Sequence, residues 1–521
     1  MSINAPDSTN LYFDFISKSA KPPEITEPPV QKKRSALAVF YINDIHAQLS
    51  KASRLKTASD SFTRVYENNP QTTDTFKLSA GDSNIGNDYK KNKFVVQLLN
   101  MIGIRYSAVG NHEFDDDTAN LSNCMDDANY KYVCSNIDVS KDNPLTDNIK
   151  KQELVKSWVE VQNNNKYGFV GVTPVDLKSR ISPENDSNKI DVENLDETVK
   201  SVQQEVNNLK KQGVNRIILV SHFGIDNDIK LAERTSGIDI VIGGHSHDVL
   251  DGLNTVKGLD GEPVIITQAG KDGNYFGILN VIYDDKDNIV SADNVVHNTD
   301  DFEKDRFVEY LEENLIGAAR PIGVLTNITY PKNISREENP MASFMADSMR
   351  YKLHTQIAFV NSGNLRGTLE PGTITTRSIQ DLIPFNNRLC VVELSEKDII
   401  DTLNYAAQST EKEPFKPGVM QVSGLKYTIT PQKTVKDVFV ENSDGSYTQL
   451  NDKSPDNSRK FTVAYDSFMQ SGAEGLSMLK KTPIKTYDFD KTETTIEYIE
   501  EKFKNKPFEI KSRDRIKIEN N

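Results

Sequence analysis

The sequence predicts an α/β protein with more than one domain. Three observations support this: the length of the chain, an alternation of strand-like and helix-like segments, and a change of pattern near residue 320. A chain of 521 residues is longer than one hydrophobic core usually supports, so two or three domains are expected. An apolar fraction of 36% with 26% charged residues is ordinary for a globular protein and argues against wholesale disorder.

Short, continuous apolar runs recur through the first 270 residues, and such runs are typical of strands buried on both faces. These runs are Ala36–Ile42, Phe76–Ala80, Tyr167–Val172, Arg216–Val220, Ile238–Ile242 and Val264–Thr267. Amphipathic helical patterns lie between them at Lys93–Met101 and Leu195–Gln212, and the second is followed by Gly213, a favourable C-terminal cap. This alternation favours an α/β sandwich over an all-β fold.

The pattern divides the chain into five segments. Residues 1–35 are rich in proline, serine and charge, which predicts a flexible leader, and residues 36–298 form a first α/β domain. Residues 299–320 are a connecting helix, with an apolar periodicity from Phe302 to Ala318. Residues 321–511 form a second α/β domain, and residues 512–521 are a charged tail that we expect to fray.

Charge and hydropathy exclude several classes of function. A net charge of −14 disfavours binding to a nucleic-acid duplex, because phosphate backbones are bound by clustered Lys and Arg. No run approaches the roughly 18–20 apolar residues of a transmembrane segment. The N-terminus lacks the pattern of a signal peptide, which predicts a cytoplasmic location. The oligomeric state cannot be predicted from the sequence.

The three cysteines allow two interpretations. In a reducing compartment Cys124, Cys134 and Cys390 would be free and mostly buried, and this is the preferred interpretation. In an oxidising compartment Cys124 and Cys134 could form a disulfide, which would leave Cys390 unpaired.

Five of the seven histidines fall in loops that follow strand-like segments, together with Asp and Asn side chains. Carboxylate, imidazole and amide oxygen together suit Mn, Fe or Zn, whereas a structural zinc site would be expected to contain thiolates. Parallel sheets collect their ligands at the carboxyl ends of strands, so these loops are expected to converge on one crevice. The candidate metal ligands are Asp44, His46, Asp82, Asn111, His222, His245 and His247.

The order of these motifs resembles that of the calcineurin-like metallophosphoesterases. The matching motifs are Asp44-x-His46, Gly81-Asp82, Gly110-Asn111-His112-Glu113, Ser221-His222 and Gly243-Gly244-His245-x-His247. The second half of the chain resembles the C-terminal domain of the 5′-nucleotidase and UDP-sugar hydrolase family. There the matching motifs are Asn361-Ser-Gly-Asn-Leu-Arg366-Gly, Pro384-Phe385-Asn386-Asn387 and Tyr465-Asp-Ser-Phe468-Met-Gln-Ser-Gly472-Ala-Glu474-Gly475.

The resemblance implies a four-layer α/β/β/α sandwich, joined by a linker helix to a second α/β domain that binds substrate. It also implies two divalent ions, with Asp82 bridging them. One ion would be bound by Asp44, His46, Asp82 and His247, and the other by Asp82, Asn111, His222 and His245. His112 would stabilise the transferring phosphoryl group, and Asp115 would orient His112.

The same resemblance implies a substrate site in the second domain. Arg336 and Arg366 would hold the phosphate and ribose, and Phe385 and Phe468 would enclose the base. Asn361 matches a position that can contact the base edge, and Glu474 stands where the family usually has an Asp that binds ribose. Asn364 also departs from the family, which usually has glycine there.

The function implied is two-metal hydrolysis of nucleotides, above all of nucleoside 5′-monophosphates to nucleoside and phosphate. The alternatives are a 2′,3′-cyclic-nucleotide phosphodiesterase with 3′-nucleotidase activity, a UDP-sugar hydrolase, and a non-catalytic binding protein on the same fold. Many relatives act outside the cytoplasm, so a periplasmic or extracellular location is the alternative to a cytoplasmic one. We also expect turnover to need rotation of the second domain about the stretch near Arg320–Arg336.

Overall fold

The computed structural model describes residues 34–68, 74–181, 189–330, 334–408, 417–504 and 506–519. All but the last two residues of the predicted leader, and residues 520 and 521 of the predicted tail, lie outside this part of the chain. The first domain contains fifteen strands in the described residues. They are β1 (Ser35–Ile42), β2 (Asp74–Ser79), β3 (Tyr106–Ala108), β4 (Lys131–Val133), β5 (Ile137–Asp138), β6 (Leu154–Val155), β7 (Ser157–Gln162), β8 (Asn165–Val172), β9 (Asp191–Val192), β10 (Arg216–Ser221), β11 (Ile240–Gly243), β12 (Asn254–Lys257), β13 (Pro263–Thr267), β14 (Tyr275–Tyr283) and β15 (Ile289–Asn298).

Two mixed sheets pack face to face at the centre of this domain. One has the strand order β15-β14-β1-β2-β3-β4-β6 and the other has the order β12-β13-β11-β10-β8-β7, while β5 and β9 form a separate pair. Apolar side chains of both sheets, such as Val39, Phe76, Phe169 and Ile218, fill the space between them. The continuous apolar runs of the sequence arise because these central strands are covered on both faces.

Helices cover the outer face of each sheet. Those on the seven-stranded sheet include Leu49–Phe62, Tyr89–Ile102, Thr118–Asp127 and Asn143–Lys150, and those on the six-stranded sheet include Leu195–Lys211 and Ile225–Glu233. The remaining helical segments of the domain are short: Thr63–Glu67, His112–Phe114, Leu177–Arg180 and Thr299–Asp301. The predicted four-layer α/β/β/α sandwich is therefore confirmed.

The connecting helix is shorter than the sequence indicated. It spans Arg306–Leu315, rather than Phe302–Ala318, because Asp305 caps its start by accepting hydrogen bonds from the main-chain N–H groups of Phe307 and Val308. Val308 is buried, but Phe307 is 61% exposed, so the predicted apolar face is only partly used for packing.

In its described residues the second domain contains three further sheets, with strand orders β18-β16-β26, β20-β17-β24-β19-β25 and β23-β22-β21-β27. The strands are β16 (Pro321–Leu325), β17 (Ile357–Val360), β18 (Gly372–Thr375), β19 (Arg388–Ser395), β20 (Gln421–Ser423), β21 (Leu425–Ile429), β22 (Val435–Glu441), β23 (Tyr447–Gln449), β24 (Lys460–Asp466), β25 (Lys485–Asp490), β26 (Pro507–Phe508) and β27 (Ile516–Ile518). The helical segments are Pro340–Leu353, Ser362–Asn364, Thr376–Leu382, Glu396–Ala407, Ser467–Gln470, Ala473–Gly475, Ser477–Leu479 and Lys491–Phe503.

One expectation about local order changes with the structure. The charged tail does not fray as expected, because its residues Ile516–Ile518 form β27, which pairs in parallel with β21. The side chain of Arg515 anchors this segment, with a distance of 2.6 Å to Asp347.

All three cysteines are free and buried, which agrees with the reduced interpretation and not with a Cys124–Cys134 disulfide.

No helix in the described part of the chain is long and apolar enough to cross a lipid bilayer.

Candidate functional site

The loops that leave β1, β2, β10 and β11 meet at one edge of the two packed sheets. Their backbones are unusual, because several non-glycine residues there, five of them candidate metal ligands, have positive φ angles. Such angles are rare outside glycine and are retained where the surrounding structure enforces them, often at functional sites. The five residues are Asp44 (50°), His46 (49°), Asp82 (48°), His245 (78°) and His247 (65°), all of them candidate metal ligands.

Two carboxylates occupy the centre of the cluster. Oδ2 of Asp82 lies 3.0 Å from Nε2 of His222 and 3.6 Å from Nε2 of His46. Oδ1 of Asp44 lies 3.3 Å from Nε2 of His247. His245 offers a ring nitrogen within 4.8 Å of ligand atoms of Asp82 and His222. The side chains that the sequence placed in one crevice therefore lie together.

Four atoms of this cluster are buried without a hydrogen-bond partner. They are Asp44 Oδ1, His46 Nε2, Asn111 Oδ1 and His222 Nε2. Buried polar atoms nearly always have partners, so four such atoms in one place need an explanation. All four can donate a lone pair to a cation, and the mixture of oxygen and imidazole nitrogen suits a divalent transition metal. The residues present thus fit the metal ions that were predicted.

Contacts at Nδ1, the ring nitrogen that faces away from the cluster, orient two of the imidazoles. Nδ1 of His46 lies 2.9 Å from Oδ1 of Asp272, and Nδ1 of His222 lies 2.6 Å from the carbonyl oxygen of Ala80. Since these partners accept hydrogen bonds, each ring in its neutral form carries the proton on Nδ1 and directs the lone pair of Nε2 at the cluster. Asp272 was not identified from the sequence, where it is one of many acidic residues in loops.

The electrostatics of the cluster also favour cations. Burial opposes protonation of the histidines, but the neighbouring carboxylates overcome it and raise the pKa of His46 to about 9 and that of His222 to about 10. The pKa of Asp82 lies well below its usual range, because the attraction of His222 and His112 outweighs its burial. Positive charge is therefore strongly stabilised here.

His112 and Asp115 form a pair beside the metal-ligand cluster. Nδ1 of His112 lies 2.6 Å from Oδ2 of Asp115, which also accepts a hydrogen bond of 2.7 Å from the main-chain N–H of Gly86. Nε2 of His112 lies 3.9 Å from Oδ2 of Asp82. The carboxylate thus fixes the ring so that its second nitrogen faces the cluster.

Glu113 is an organising residue to which the sequence analysis gave no role. Its buried carboxylate accepts four main-chain hydrogen bonds, from Asp82 (3.0 Å), Ser83 (2.9 Å), Asn84 (3.3 Å) and Gly110 (2.7 Å). These donors belong to the two loops that carry Asp82 and Asn111, so one side chain holds both loops. In the sequence, the only indication of such a role was that Glu113 directly follows His112.

Glycine permits the close approach of these loops. A Cβ on Gly110 would lie 2.1 Å from Oδ1 of Asp82, and a Cβ on Gly244 would lie 2.8 Å from the carbonyl oxygen of Ala80. Neither distance is compatible with a side chain, so both positions require glycine.

A cleft extends from this cluster to the second domain, and both domains line it. The lining residues of the first domain are Asp82, Asn111, His112, Asp115, Ser179, Arg180, His245 and His247. Those of the second domain are Asn361, Gly363, Asn364, Arg366, Phe385, Asn387, Phe468 and Glu474. Five of the six predicted substrate residues are therefore in the cleft, and the sequence analysis did not anticipate Arg180 or assign a role to Asn387.

Arg336 is the exception among the predicted substrate residues. It lies on a turn before the Pro340–Leu353 helix, where its side chain is exposed, and it is not part of the cleft lining. Asn339, only three positions later, is buried as the cap of that helix. The role of Arg336 in substrate binding therefore stays a prediction.

Predicted substrate and catalytic residues of the two domains meet across the domain boundary. The guanidinium carbon of Arg366 lies 5.3 Å from the ring centre of Phe385, and that ring lies 6.2 Å from the ring of His112. A buried ion pair also joins the domains, with 3.2 Å between Nζ of Lys91 and Oδ1 of Asp381. The second domain is therefore docked over the metal-ligand cluster.

Comparisons with known proteins agree with this geometry. Residues 37–249 match the family model of the calcineurin-like phosphoesterases, and residues 321–481 match that of the 5′-nucleotidase C-terminal domain. The trifunctional nucleotide phosphoesterase protein YfkN of Bacillus subtilis is 27% identical over 490 residues, which is 85% of this chain. This chain spans only 32% of the length of that protein.

Two further relatives are matched over most of their length. A 5′-nucleotidase-related protein of Glossina morsitans morsitans is 29% identical over 427 residues, which cover 74% of both chains. The crystal structure of a 5′-nucleotidase precursor from Thermus thermophilus superposes with a TM-score of 0.76 and 25% identity, over 93% of this chain and 100% of that one. The chain therefore belongs to the 5′-nucleotidase family, with a calcineurin-like phosphoesterase domain followed by a 5′-nucleotidase C-terminal domain, and it is a metal-dependent hydrolase that acts on phosphoesters.

Proposed function

We propose that this enzyme hydrolyses nucleoside 5′-monophosphates to nucleoside and phosphate. The observation that carries the proposal is the cleft itself. It joins a cluster of unsatisfied ligand atoms on one domain to an arginine and two aromatic side chains on the other. The phosphate of a substrate would bind at the cluster of ligand atoms, and its nucleoside would bind against the arginine and the aromatic side chains.

Two divalent ions would be held by the seven predicted ligands. One would bind Asp44, His46, Asp82 and His247, and the other would bind Asp82, Asn111, His222 and His245. When bound, such ions lower the pKa of a water nucleophile and neutralise charge that develops on the phosphoryl oxygens. Mn, Zn and Fe all fit this donor set.

His112 would act on the leaving side of the phosphate. Asp115 would accept a hydrogen bond from Nδ1 of His112 and so keep Nε2 facing the cluster. Nε2 would then donate a hydrogen bond, and finally a proton, to the oxygen of the departing nucleoside. A general acid in this position contributes about 10²–10⁴-fold to the rate.

Side chains of the second domain would bind the nucleoside. Arg366 suits a phosphate or ribose oxygen, because a guanidinium offers paired donors. Phe385 and Phe468 line the same cleft and offer faces on which a base can stack. Glu474 offers a hydrogen-bond acceptor for sugar hydroxyls.

A broader nucleotide phosphoesterase activity is the second candidate. It would include cleavage of 2′,3′-cyclic nucleotides, 3′-nucleotides or UDP-sugars. The similarity to a trifunctional nucleotide phosphoesterase supports it, because the same metal site can serve several phosphoesters. The replacement of Asp by Glu474 and of Gly by Asn364 lies in the part of the cleft where such substrates would differ.

Phosphate release from a panel of substrates tests both candidates. The panel contains the four ribonucleoside 5′-monophosphates, 3′-AMP, 2′,3′-cyclic AMP and UDP-glucose, each assayed with Mn²⁺ and Zn²⁺. We expect the highest kcat/KM for a 5′-monophosphate. Cleavage of 2′,3′-cyclic AMP or UDP-glucose with a higher kcat/KM would favour the second candidate, and release from none of them would contradict both.

A metal-site variant with a matched control links this activity to the proposed ions. Asp82→Ala removes the proposed bridging ligand and should abolish activity and lower the metal content. His354→Asn changes an exposed histidine outside the cleft and should do neither. Full activity of Asp82→Ala would contradict the metal assignment.

A further inference from the structure

A chain of hydrogen bonds runs from the core of the second domain to the wall of the cleft. Lys491, which is 1% exposed, donates to Oδ2 of Asp466 and to Oδ1 of Asn364. Asn364 donates from Nδ2 to the side-chain and main-chain oxygens of Asn361. Asn361 in turn donates from Nδ2 to Oε2 of Glu474 over 2.9 Å. Two buried charges are thereby connected to a carboxylate in the cleft.

Donor and acceptor chemistry fixes the orientation of both amides in this chain. An ammonium group can only donate, so Asn364 must present its oxygen to Lys491. The amide nitrogen of Asn364 then faces Asn361, which must answer with its oxygen. The nitrogen of Asn361 is left to face Glu474, whose ionised carboxylate can only accept. Each link therefore depends on the one before it.

Glu474, the last residue of this chain of hydrogen bonds, is held in place at the cleft. Asn361, Asn364 and Glu474 all line the cleft. Glu474 has a φ of 53°, and its main-chain carbonyl accepts a hydrogen bond of 3.1 Å from the hydroxyl of Tyr405. Its second oxygen, Oε1, lies 3.5 Å from the position that a Cβ on Gly363 would take, and Gly363 also lines the cleft. Oε2 is used by Asn361, so Oε1 is the oxygen placed for a ligand.

Asp466 and the segment that begins at Lys491 also hold the two parts of the chain that carry Phe468 and Phe385. Asp466 caps the short Ser467–Gln470 helix by accepting a hydrogen bond of 2.9 Å from the N–H of Met469, and this helix carries Phe468. Thr492, which follows Lys491, donates a hydrogen bond of 2.6 Å to the carbonyl of Ile383, just before the segment that carries Phe385. The start of the Lys491–Phe503 helix thus connects three loops of the cleft.

We propose that Asn364 and Lys491 are positioning residues for the sugar of the substrate. They hold Asn361 so that Glu474 presents a fixed acceptor to sugar hydroxyls, and Asn364 thereby sets the preference for ribonucleotides over nucleotides without those hydroxyls. This inference rests on the proposed function, because it takes the substrate to be a nucleotide. Asn361 contributes by orienting Glu474, because its amide oxygen accepts a hydrogen bond from Asn364 and its amide nitrogen donates one to Glu474.

A double-mutant cycle on substrate discrimination tests the inference. The readout is the ratio of kcat/KM for AMP to kcat/KM for 2′,3′-dideoxy-AMP, in the wild type, Asn364→Ala, Glu474→Ala and the double variant. Asn364→Ala should lower the ratio about tenfold, the size expected for one hydrogen bond to a charged group. The double variant should show the ratio of Glu474→Ala alone, because Asn364 acts through that residue.

Two further variants separate positioning from general damage. Asn364→Asp keeps the size of the side chain and the contact with Lys491 but cannot donate to Asn361, so it should lower the ratio as Asn364→Ala does. Asn442→Ala is the matched control, because this asparagine makes side-chain hydrogen bonds in the β22–β23 hairpin, outside the cleft lining. It should leave the ratio unchanged.

Hydrolysis of para-nitrophenyl phosphate distinguishes the possible failures. This substrate has no sugar, so Asn364→Ala should lower its kcat/KM by a smaller factor than the kcat/KM for AMP. If the variant loses AMP and dideoxy-AMP hydrolysis equally, or if the ratio falls further in the double variant, the positioning role is wrong although nucleotide hydrolysis stands. If the wild type cleaves para-nitrophenyl phosphate but no nucleotide, the proposed function fails and this inference fails with it.

Discussion

Replacement of Glu113 by Gln tests how the backbone beneath the proposed metal site is organised. Oε1 of Glu113 accepts hydrogen bonds from the main-chain N–H groups of Ser83 and Asn84, and Oε2 accepts them from those of Asp82 and Gly110. Gln keeps the shape but replaces one oxygen by an NH₂ group. Two of the four main-chain donors would then face another donor and lose their acceptor.

The expected cost follows from the number of donors affected. A buried donor without an acceptor costs about 1–3 kcal/mol, so two donors should lower the free energy of unfolding by about 2–6 kcal/mol. Since a protein domain is stable by only about 5–15 kcal/mol, the effect should be large. Affinity for Mn²⁺ should fall as well, because the same loops carry Asp82 and Asn111.

Urea unfolding and calorimetric titration with Mn²⁺ measure the two effects. The chain has a single tryptophan, Trp158 in β7, so its fluorescence reports on unfolding of the first domain. Glu396→Gln is the matched control. This glutamate is buried in the second domain and accepts a main-chain hydrogen bond of 2.7 Å from Asn451. Its replacement should leave the Mn²⁺ affinity unchanged.

One result would refute this account of Glu113. If Glu113→Gln unfolds at the same urea concentration as the wild type in the Trp158 signal and binds Mn²⁺ equally well, its four hydrogen bonds do not organise the site. The same conclusion would follow if Glu113→Gln lowered the Mn²⁺ affinity no more than Glu396→Gln does.

Three further predictions follow from the cleft and the domain boundary. His112→Ala should lower kcat about 10²–10⁴-fold with little change in metal content, and Asp115→Asn should lower it less; equal metal loss in both would point to a structural role instead. Burial raises the pKa of Glu474 to about 7, so the KM for AMP should rise as the pH falls below 7 and this carboxylate is protonated, whereas a Glu474→Gln variant should show no such rise. Lys91→Met should lower the free energy of unfolding by about 3–5 kcal/mol because Asp381 stays buried and unpaired, and Lys91→Met/Asp381→Leu should recover most of it; urea denaturation measures both, and no recovery would contradict the ion-pair explanation.

Much of the first domain could be predicted from the sequence. The apolar run Ala36–Ile42 matches β1 to within one residue, and the amphipathic pattern Leu195–Gln212 matches the helix Leu195–Lys211. These predictions succeeded because burial on both faces of a strand, or on one face of a helix, leaves a periodic pattern of apolar residues. The tail was harder to predict, because Ile516–Ile518 becomes ordered only by pairing with the distant strand β21.

The candidate ligands could also be selected from the sequence, since each belongs to a short motif after a strand-like segment. Their supporting residues could not. Asp272 reaches His46 from 226 positions away, and nothing in its local sequence distinguishes it from other acidic residues.

The sequence by itself determined the layered α/β architecture and the identity of the chemical groups, because both are written in local patterns of residue type and spacing. Only the tertiary structure decided how those groups are oriented. The hydrogen-bond chain from Lys491 to Glu474 and the four bonds to Glu113 join segments that are distant along the chain or belong to different loops. Such contacts depend on which folded elements meet in space, and this cannot be predicted from the local sequence.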